Sequence, residues 1–262
     1  MSQQKLTQLD RSIVGKVALI TGAASGVGDA TDRLFDDEGA KVGLVDIDAE
    51  GLAKLEQAIK SAGGEVLCVT ADCGEREPLC AAVETIAQHF GGLDILVNNA
   101  GLALPSDVND GDLLEANWER SMSVMATGQQ RAIVTALPWL RKASHPRIVN
   151  VASTEAFGAT PYNSAYVAAK HASLGLTRAL ATELGKEGIT VNCVCPGPVH
   201  TALTSIFPDE QKLLFAKRRT ALRRYADPEE IAHGILSLVL PAASFITGVA
   251  LPVDGGLLVR NA

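Results

Sequence analysis

Three observations predict an α/β fold, a single doubly wound parallel sheet of about seven strands with helices on both faces. Apolar strand-like runs recur near 17–21, 41–46, 65–71, 94–98, 147–152, 189–195 and 248–253, and the segments between them are long enough for helices. A glycine-rich turn, TGAASGVG from Thr21 to Gly28, follows the first run and opens a helical stretch. The alternation continues without a linker, so one domain is expected over 14–262 behind a polar arm over 1–13. Right-handed crossovers then favour the strand order 3-2-1-4-5-6, with a ligand crevice at the carboxyl ends of the strands.

The first run, Val17-Ala18-Leu19-Ile20, feeds directly into the turn. Gly22 permits the tight bend, Gly26 lets the backbone approach a pyrophosphate, and Gly28 allows the helix to pack closely. Ser25 and Val27 lie in the same cradle, with the positive end of the helix facing phosphate charge. The second strand ends VGLVDID, about twenty residues further on. Asp46 there can accept hydrogen bonds from a ribose and repels a 2′-phosphate. Ile47 and Asp48 follow where a basic clamp would be needed, so NAD is expected over NADP.

The third run ends Ala71-Asp72-Cys73, and the fourth ends Asn98-Asn99-Ala100-Gly101, where paired asparagines are expected to tie neighbouring strands. A long helical stretch from about Asp112 to Lys142 follows. The fifth run, Arg147 to Ala152, leads into Ser153. Beyond it, Tyr166 and Lys170 are spaced i,i+4 and share one face of a helix carried by Ala165, Val167, Ala168, Ala169 and Leu174. A nearby ammonium favours the phenolate and brings the tyrosine into a usable range, while Ser153 can hold the oxygen of an alcohol or ketone. The sixth run ends Cys195-Pro196-Gly197-Pro198-Val199-His200-Thr201. Residues 202–224, with Leu203, Ile206, Phe207, Leu213, Leu214 and Phe215, form a mostly apolar segment. Asp227-Pro228-Glu229-Glu230 starts a last helix with a cap and a proline.

The glycine turn (T-G-x3-G-x-G), the N-N-A-G segment and the Y-x3-K pair, in that order, resemble the short-chain dehydrogenase/reductase family over about residues 14 to 257. The resemblance implies a Rossmann-like sheet with an added seventh strand and a catalytic set of Ser153, Tyr166 and Lys170. Lys170 would also hold the cofactor ribose, and Tyr166 would belong to the cofactor site as well. It further implies that Asp72 meets the adenine amino group with the Cys73 amide, and that Asn99, Ala100 and Gly101 pass beside the cofactor. Pro196, Gly197, Val199 and Thr201 would lie over the nicotinamide, and 202–224 would close over substrate. One position departs from the family: aligning Trp118 and Gly128 puts Met125 where an asparagine normally helps hold a water beside the lysine. A methionine side chain cannot do this.

The chain has 262 residues, 47% hydrophobic and 20% charged, and its apolar runs are too short to span a bilayer. A net charge of −7 argues against nucleic acid, and the Lys217-Arg218-Arg219 and Arg223-Arg224 cluster reads as a solvated helix face. The N-terminal residues lack the layout of a secretory signal, and five cysteines fit a reducing compartment, so a cytoplasmic location is expected. Cys193 and Cys195 fall on one face of a strand and read as packing; no metal site is expected. The 112–142 and 163–186 helices carry more apolar residues than one domain covers, so a homo-oligomer, a tetramer, is expected.

The function expected is an NAD-dependent oxidoreductase interconverting a hydrophobic ring alcohol and its ketone. Leu102, Leu104, Phe157 and Tyr162 would line a greasy pocket with Glu155 and Asn163 as its polar groups, though 202–224 could instead pack its apolar side on the domain. The alternatives are a catalytically weakened nucleotide-binding regulator and a reductase of an acyl-linked or sugar ketone. A sugar-nucleotide epimerase is disfavoured by the spacing of Gly22, Gly26 and Gly28.

Overall fold

The computed structural model describes residues 7–260. Its seven strands are β1 (Val17–Thr21), β2 (Lys41–Asp46), β3 (Val66–Thr70), β4 (Ile95–Asn98), β5 (Arg147–Val151), β6 (Thr190–Pro196) and β7 (Ala250–Val253). They form one sheet in the order β3-β2-β1-β4-β5-β6-β7, with every pair parallel. The order reverses between β1 and β4, and the crevice opens there. Each apolar run found in the sequence overlaps one of these strands, the sixth falling one residue short of the end of β6.

The inner strands are buried on both sides because alternate residues serve opposite cores, while the edge strands β3 and β7 are partly exposed. Val17 and Leu19 of β1 pack with α3 (Arg76–Phe90), α5 (Gly128–Leu140) and α6 (Ser164–Leu184). Ala18 and Ile20 pack with α1 (Gly26–Asp37), α2 (Ala49–Ala62) and α8 (Pro228–Val239). Asp227 and Glu230 complete a reciprocal capping box at the start of α8, with Pro228 at its first turn. The end of the polar arm is held in place: Ile13 is buried, and the Asp10 carbonyl accepts from the Ala242 amide at 2.8 Å. Residues 1–6 of that arm lie outside the described residues.

The expected long helix over 112–142 is divided. α4 spans Gly111–Met122, a π-helical turn covers Ser123–Thr127, and α5 begins at Gly128, whose amide donates to the Ser123 carbonyl five residues back. Apolar periodicity does not register one extra residue in a turn, so the sequence reads as one helix. Among the described residues no helix is long and apolar enough to cross a membrane.

Asp32 on α1 is fully buried, and both carboxyl oxygens are without a hydrogen-bond partner. Burial raises its pKa well above the ordinary value, and Asp29 and Asp46 add to the rise. The folded chain therefore holds a proton that the unfolded chain releases, and this group's contribution to stability falls as pH climbs above the carboxylate range. Asp32→Ala is expected to stabilise the fold by about 1–3 kcal/mol at neutral pH, the cost of an unpartnered buried polar group. Urea denaturation of both proteins at several pH values should show the advantage growing from pH 5 upward.

Candidate active site

A cleft of about 550 Å³ opens at the carboxyl ends of the strands around the switch point. Every catalytic and cofactor-binding residue expected from the sequence lines it except Gly28; of the side chains expected around substrate, Leu102 lines it, whereas Leu104, Glu155, Phe157, Tyr162 and Asn163 do not. A side chain on Gly28 would run into the Gly22 carbonyl, so this glycine lets α1 start directly beneath the turn. Gly22 has φ 66°, and a side chain there would stand 2.6 Å from the Ala100 Cα, so the turn and the N-N-A-G segment press together. A side chain on Gly26 would fill cleft space against the Thr201 methyl at 3.1 Å. Ser25 and Val27 complete a cradle shaped by missing side chains, at the positive end of a helix.

Asp46 ends β2 at the rim of the cleft beside exposed Ile47. Its Oδ2 accepts from the Ala24 amide and its Oδ1 from the Asp48 amide, both at 2.9 Å, which fixes the carboxylate and leaves further acceptor sites. Asp72 and Cys73 follow β3. Arg120, near the end of α4, also lines the cleft and grips Asp72; the sequence reading missed it because the two stand 48 positions apart. The asparagines behave as expected of strand ties. Asn98 Nδ2 donates to Asn150 Oδ1 at 2.9 Å, and Asn99 Nδ2 donates to the carbonyls of Thr21 and Gly22 at 3.0 and 2.8 Å.

At the other end of the cleft, β5 leads into Ser153, and the first two turns of α6 deliver half-buried Tyr166 and buried Lys170. Ser153 Oγ accepts from the Glu155 amide at 3.1 Å. Lys170 Nζ donates to the Val151 carbonyl at 2.8 Å and stands 5.5 Å from the centre of the Tyr166 ring. Burial raises the Tyr166 phenol above its ordinary value; the hydrogen bond with the Ser153 hydroxyl pulls it down, and the Glu155 charge adds to the rise. Burial lowers Lys170 to about 8, against the opposing influence of Cys195 and Cys193. The expectation of a phenol held low by its neighbouring ammonium is corrected here: burial is the largest influence on Tyr166 and outweighs the Ser153 hydrogen bond, while Lys170 Nζ donates to the Val151 carbonyl.

Met125 is fully buried inside the π turn, and a side chain placed on Gly101 would touch both Met125 Sδ and Lys170 Nζ at 3.6 Å. The alignment therefore set Met125 in the right neighbourhood, beside the lysine. Cys193 and Cys195 are buried on one face of β6 with their sulfurs 3.8 Å apart, packed with Ala152, Ala156 and Leu174. Among the described residues no group of side chains could hold a metal ion.

The two polar groups expected to meet substrate do not stand free in the same way. Glu155 accepts from the Thr160 amide and hydroxyl at 2.9 and 2.7 Å, so it braces the loop after Ser153. Asn163 occupies the N-cap position of α6 without a capping hydrogen bond. Tyr162 has φ 66°, and its carbonyl accepts from the Ser106 amide at 2.8 Å, joining the two loops at that end. Residues 202–224 do not pack their apolar side down. In α7 (Asp209–Arg219) only Ala216 is buried, Leu213, Leu214 and Phe215 are exposed, and Ala202, Leu203 and Thr204 edge the cleft. The exposed basic residues 217–219, 223 and 224 form a solvated face, and Arg224 pairs with Glu230 through two contacts of 2.6 Å.

A parallel sheet with a glycine cradle at its switch point and a Ser-Tyr-Lys set in the same cleft defines a Rossmann-type, nucleotide-binding oxidoreductase. Residues 22–258 match the family described as enoyl-(acyl carrier protein) reductase. The chain is 38% identical over 242 residues to a cis-4-hydroxycyclohexanecarboxylate dehydrogenase of Sinomonas cyclohexanicum, covering 92% of this chain and 96% of that one. It is 38% identical over 248 residues to a subunit of a hydroxy(phenyl)methylsuccinyl-CoA dehydrogenase of Thauera aromatica, covering 93% and 97%. The crystal structure of L-sorbose reductase from Gluconobacter frateurii, complexed with NADPH and L-sorbose, superposes with a TM-score of 0.90 at 31% identity, covering 96% of this chain and 100% of that one. The chain belongs to the short-chain dehydrogenase/reductase family, whose members use a nicotinamide cofactor.

Proposed function

We propose that this protein is an NAD-dependent dehydrogenase/reductase that interconverts a hydrophobic secondary ring alcohol and its ketone. The observation that carries the reading is the convergence of Ser153, Tyr166 and Lys170 in one cleft with the glycine cradle and Asp46. The residues present fit a nicotinamide dinucleotide, because the cradle is made of absent side chains and the rim carries a fixed carboxylate. When bound, that cofactor supplies the hydride acceptor or donor.

The chain's residues do the rest. Backbone amides of the turn and the start of α1 hold the pyrophosphate, Asp46 accepts from the ribose hydroxyls, and Asp72 with the Cys73 amide meets the adenine edge. Val199 and Thr201 would hold the carboxamide; the local backbone is pinned by Thr204, whose hydroxyl donates to the Val199 carbonyl at 2.7 Å. Ser153 Oγ hydrogen-bonds the substrate oxygen. In oxidation Tyr166 Oη would take the proton of the substrate hydroxyl, and in reduction the same oxygen would return it to the substrate oxygen. Lys170 holds the nicotinamide ribose and supplies positive charge beside the phenol.

The ring-alcohol class is supported by Leu102 and Leu203, which line the cleft, and by the alicyclic substrate in the Sinomonas enzyme's name. Reduced-nicotinamide absorbance with a panel of alicyclic, steroid, sugar and acyl-CoA alcohols tests it; turnover confined to the sugar or acyl-CoA members would overturn the ring-alcohol assignment. We further read the protein as a cytoplasmic homotetramer paired through α4, α5 and α6. Its exposed Leu113, Trp118 and Val134 are suited to such pairing.

NAD is expected to bind more than about tenfold more tightly than NADP, the cost of setting a phosphate against an uncompensated carboxylate. Asp46→Ser with Ile47→Arg should narrow the gap. Titration of both cofactors into both proteins measures it, and equal affinities for the unaltered protein would defeat the NAD assignment.

A further inference from the structure

Arg120 lies in the last turn of α4, just ahead of the π turn, and its guanidinium reaches across to the end of β3. Nη1 donates to Asp72 Oδ1 at 3.1 Å and Nη2 stands 3.0 Å from Asp72 Oδ2, a paired contact that fixes the plane of the carboxylate as well as its position. Asp72 Oδ1 also accepts from the Gly74 amide at 2.7 Å, which fills both of its acceptor directions. The acceptor direction left open belongs to Oδ2. The approach depends on Gly74, where a side chain would stand 2.5 Å from Arg120 Nη1. Ser123 Oγ, in the π turn, donates to the Arg120 carbonyl at 2.9 Å and steadies the backbone that carries the arginine. Burial acts to raise Asp72, but the hydrogen bonds from Arg120 and Gly74 outweigh it and hold the carboxyl below its ordinary range. Asp72 and Arg120 both line the cleft.

A carboxylate held ionised, in a fixed plane and with one acceptor site open, is suited to a single N–H donor. A guanidinium already paired twice is poorly suited to take a phosphate as well, because doing so would strip Asp72 of its partner. We propose that Arg120 is a positioning residue that turns Asp72 Oδ2 toward the exocyclic amino group of the bound dinucleotide's adenine, so that the cleft selects adenine over a base with a carbonyl at that position. This rests on the dinucleotide reading above and goes beyond it in assigning base selectivity to an arginine outside the glycine turn and the catalytic set.

The test is fluorescence titration with NADH and with its deaminated counterpart, reduced nicotinamide hypoxanthine dinucleotide. The unaltered protein should favour the adenine form by about tenfold or more, the usual worth of a hydrogen bond to a charged group set against a carbonyl–carboxylate clash. In Arg120→Met the ratio should collapse toward one because the carboxylate loses its fixed plane. Arg120→Lys, which keeps the charge but not the fork, should fall between them. Asp72→Asn should lose the same selectivity, and adding it to Arg120→Met should change the ratio no further. Circular dichroism melts confirm that each variant is folded. An Arg120→Met protein that keeps the full ratio overturns the proposal, as does an unaltered protein that binds both forms equally. A variant that loses NADPH binding far more than NADH binding also overturns it, since Arg120 would then be a phosphate clamp. An unaltered protein that binds no dinucleotide would fail the dinucleotide reading itself.

Discussion

Tyr166→Phe is expected to lower alcohol oxidation by at least about 10³-fold, in the upper part of the range for a lost general acid/base group, because the same hydroxyl also positions substrate. The ring is unchanged in shape, so packing around α6 is preserved, and Ser153 keeps its contact with the Glu155 amide. Dinucleotide affinity should hardly change, since the glycine turn, Asp46 and Lys170 are assigned most of the cofactor contacts and the ring of Tyr166 is kept. In the unaltered protein, oxidation needs the deprotonated phenol and should rise with pH, whereas ketone reduction needs the protonated form and should fall. Because burial raises Tyr166, the limb of the profile is expected above the ordinary phenol range rather than below it. The Phe variant should lose that limb. Near-normal oxidation by Tyr166→Phe would overturn the tyrosine's role as acid/base, and an unaltered protein that binds the dinucleotide but oxidises no alcohol would shift the assignment to a nucleotide-binding regulator.

Lys170→Met should separate function from stability. Activity is expected to fall by about 10²-fold or more, with weaker cofactor binding, because the ammonium is assigned both the ribose and the phenol. The fold should become more stable. Lowering a lysine from 10.5 to about 8 corresponds to roughly 3 kcal/mol against the buried charge, and leaving the Val151 carbonyl without its donor takes back about 1–2 kcal/mol. The sign with pH follows from proton binding: between about 8 and 10.5 the unfolded chain holds a proton that the folded chain has released, so the native protein gains stability as pH rises through that window. The Met variant lacks this slope. Its advantage should be complete below pH 8 and fade toward 10.5, which chemical denaturation at pH 7 and pH 10 measures directly. A Met variant that is less stable at both pH values would show that the ammonium supports the fold rather than straining it.

The sequence by itself determined the sheet and most of the cleft. Strand runs such as Val17–Thr21 are apolar on both faces because helices cover both, and that requirement is local enough to be read from one chain. The glycine turn, Asp46 and the Tyr166–Lys170 pair were legible for the same reason, since turn geometry, strand ends and i,i+4 spacing are short-range. Tertiary structure alone decided the rest. The π turn adds one residue without altering the apolar pattern, and only its hydrogen bond from Gly128 to Ser123 reveals it. Arg120 meets Asp72 across 48 positions, a contact that no local spacing encodes. Glu155 was spent on Thr160, and the apolar side chains of α7 stood open to solvent, because side-chain direction depends on what the rest of the fold brings near. The ionisation of Tyr166, Lys170 and Asp32 was likewise beyond the sequence: residue type sets the ordinary pKa, but desolvation depends on how many atoms surround the group, and only the packed fold supplies them.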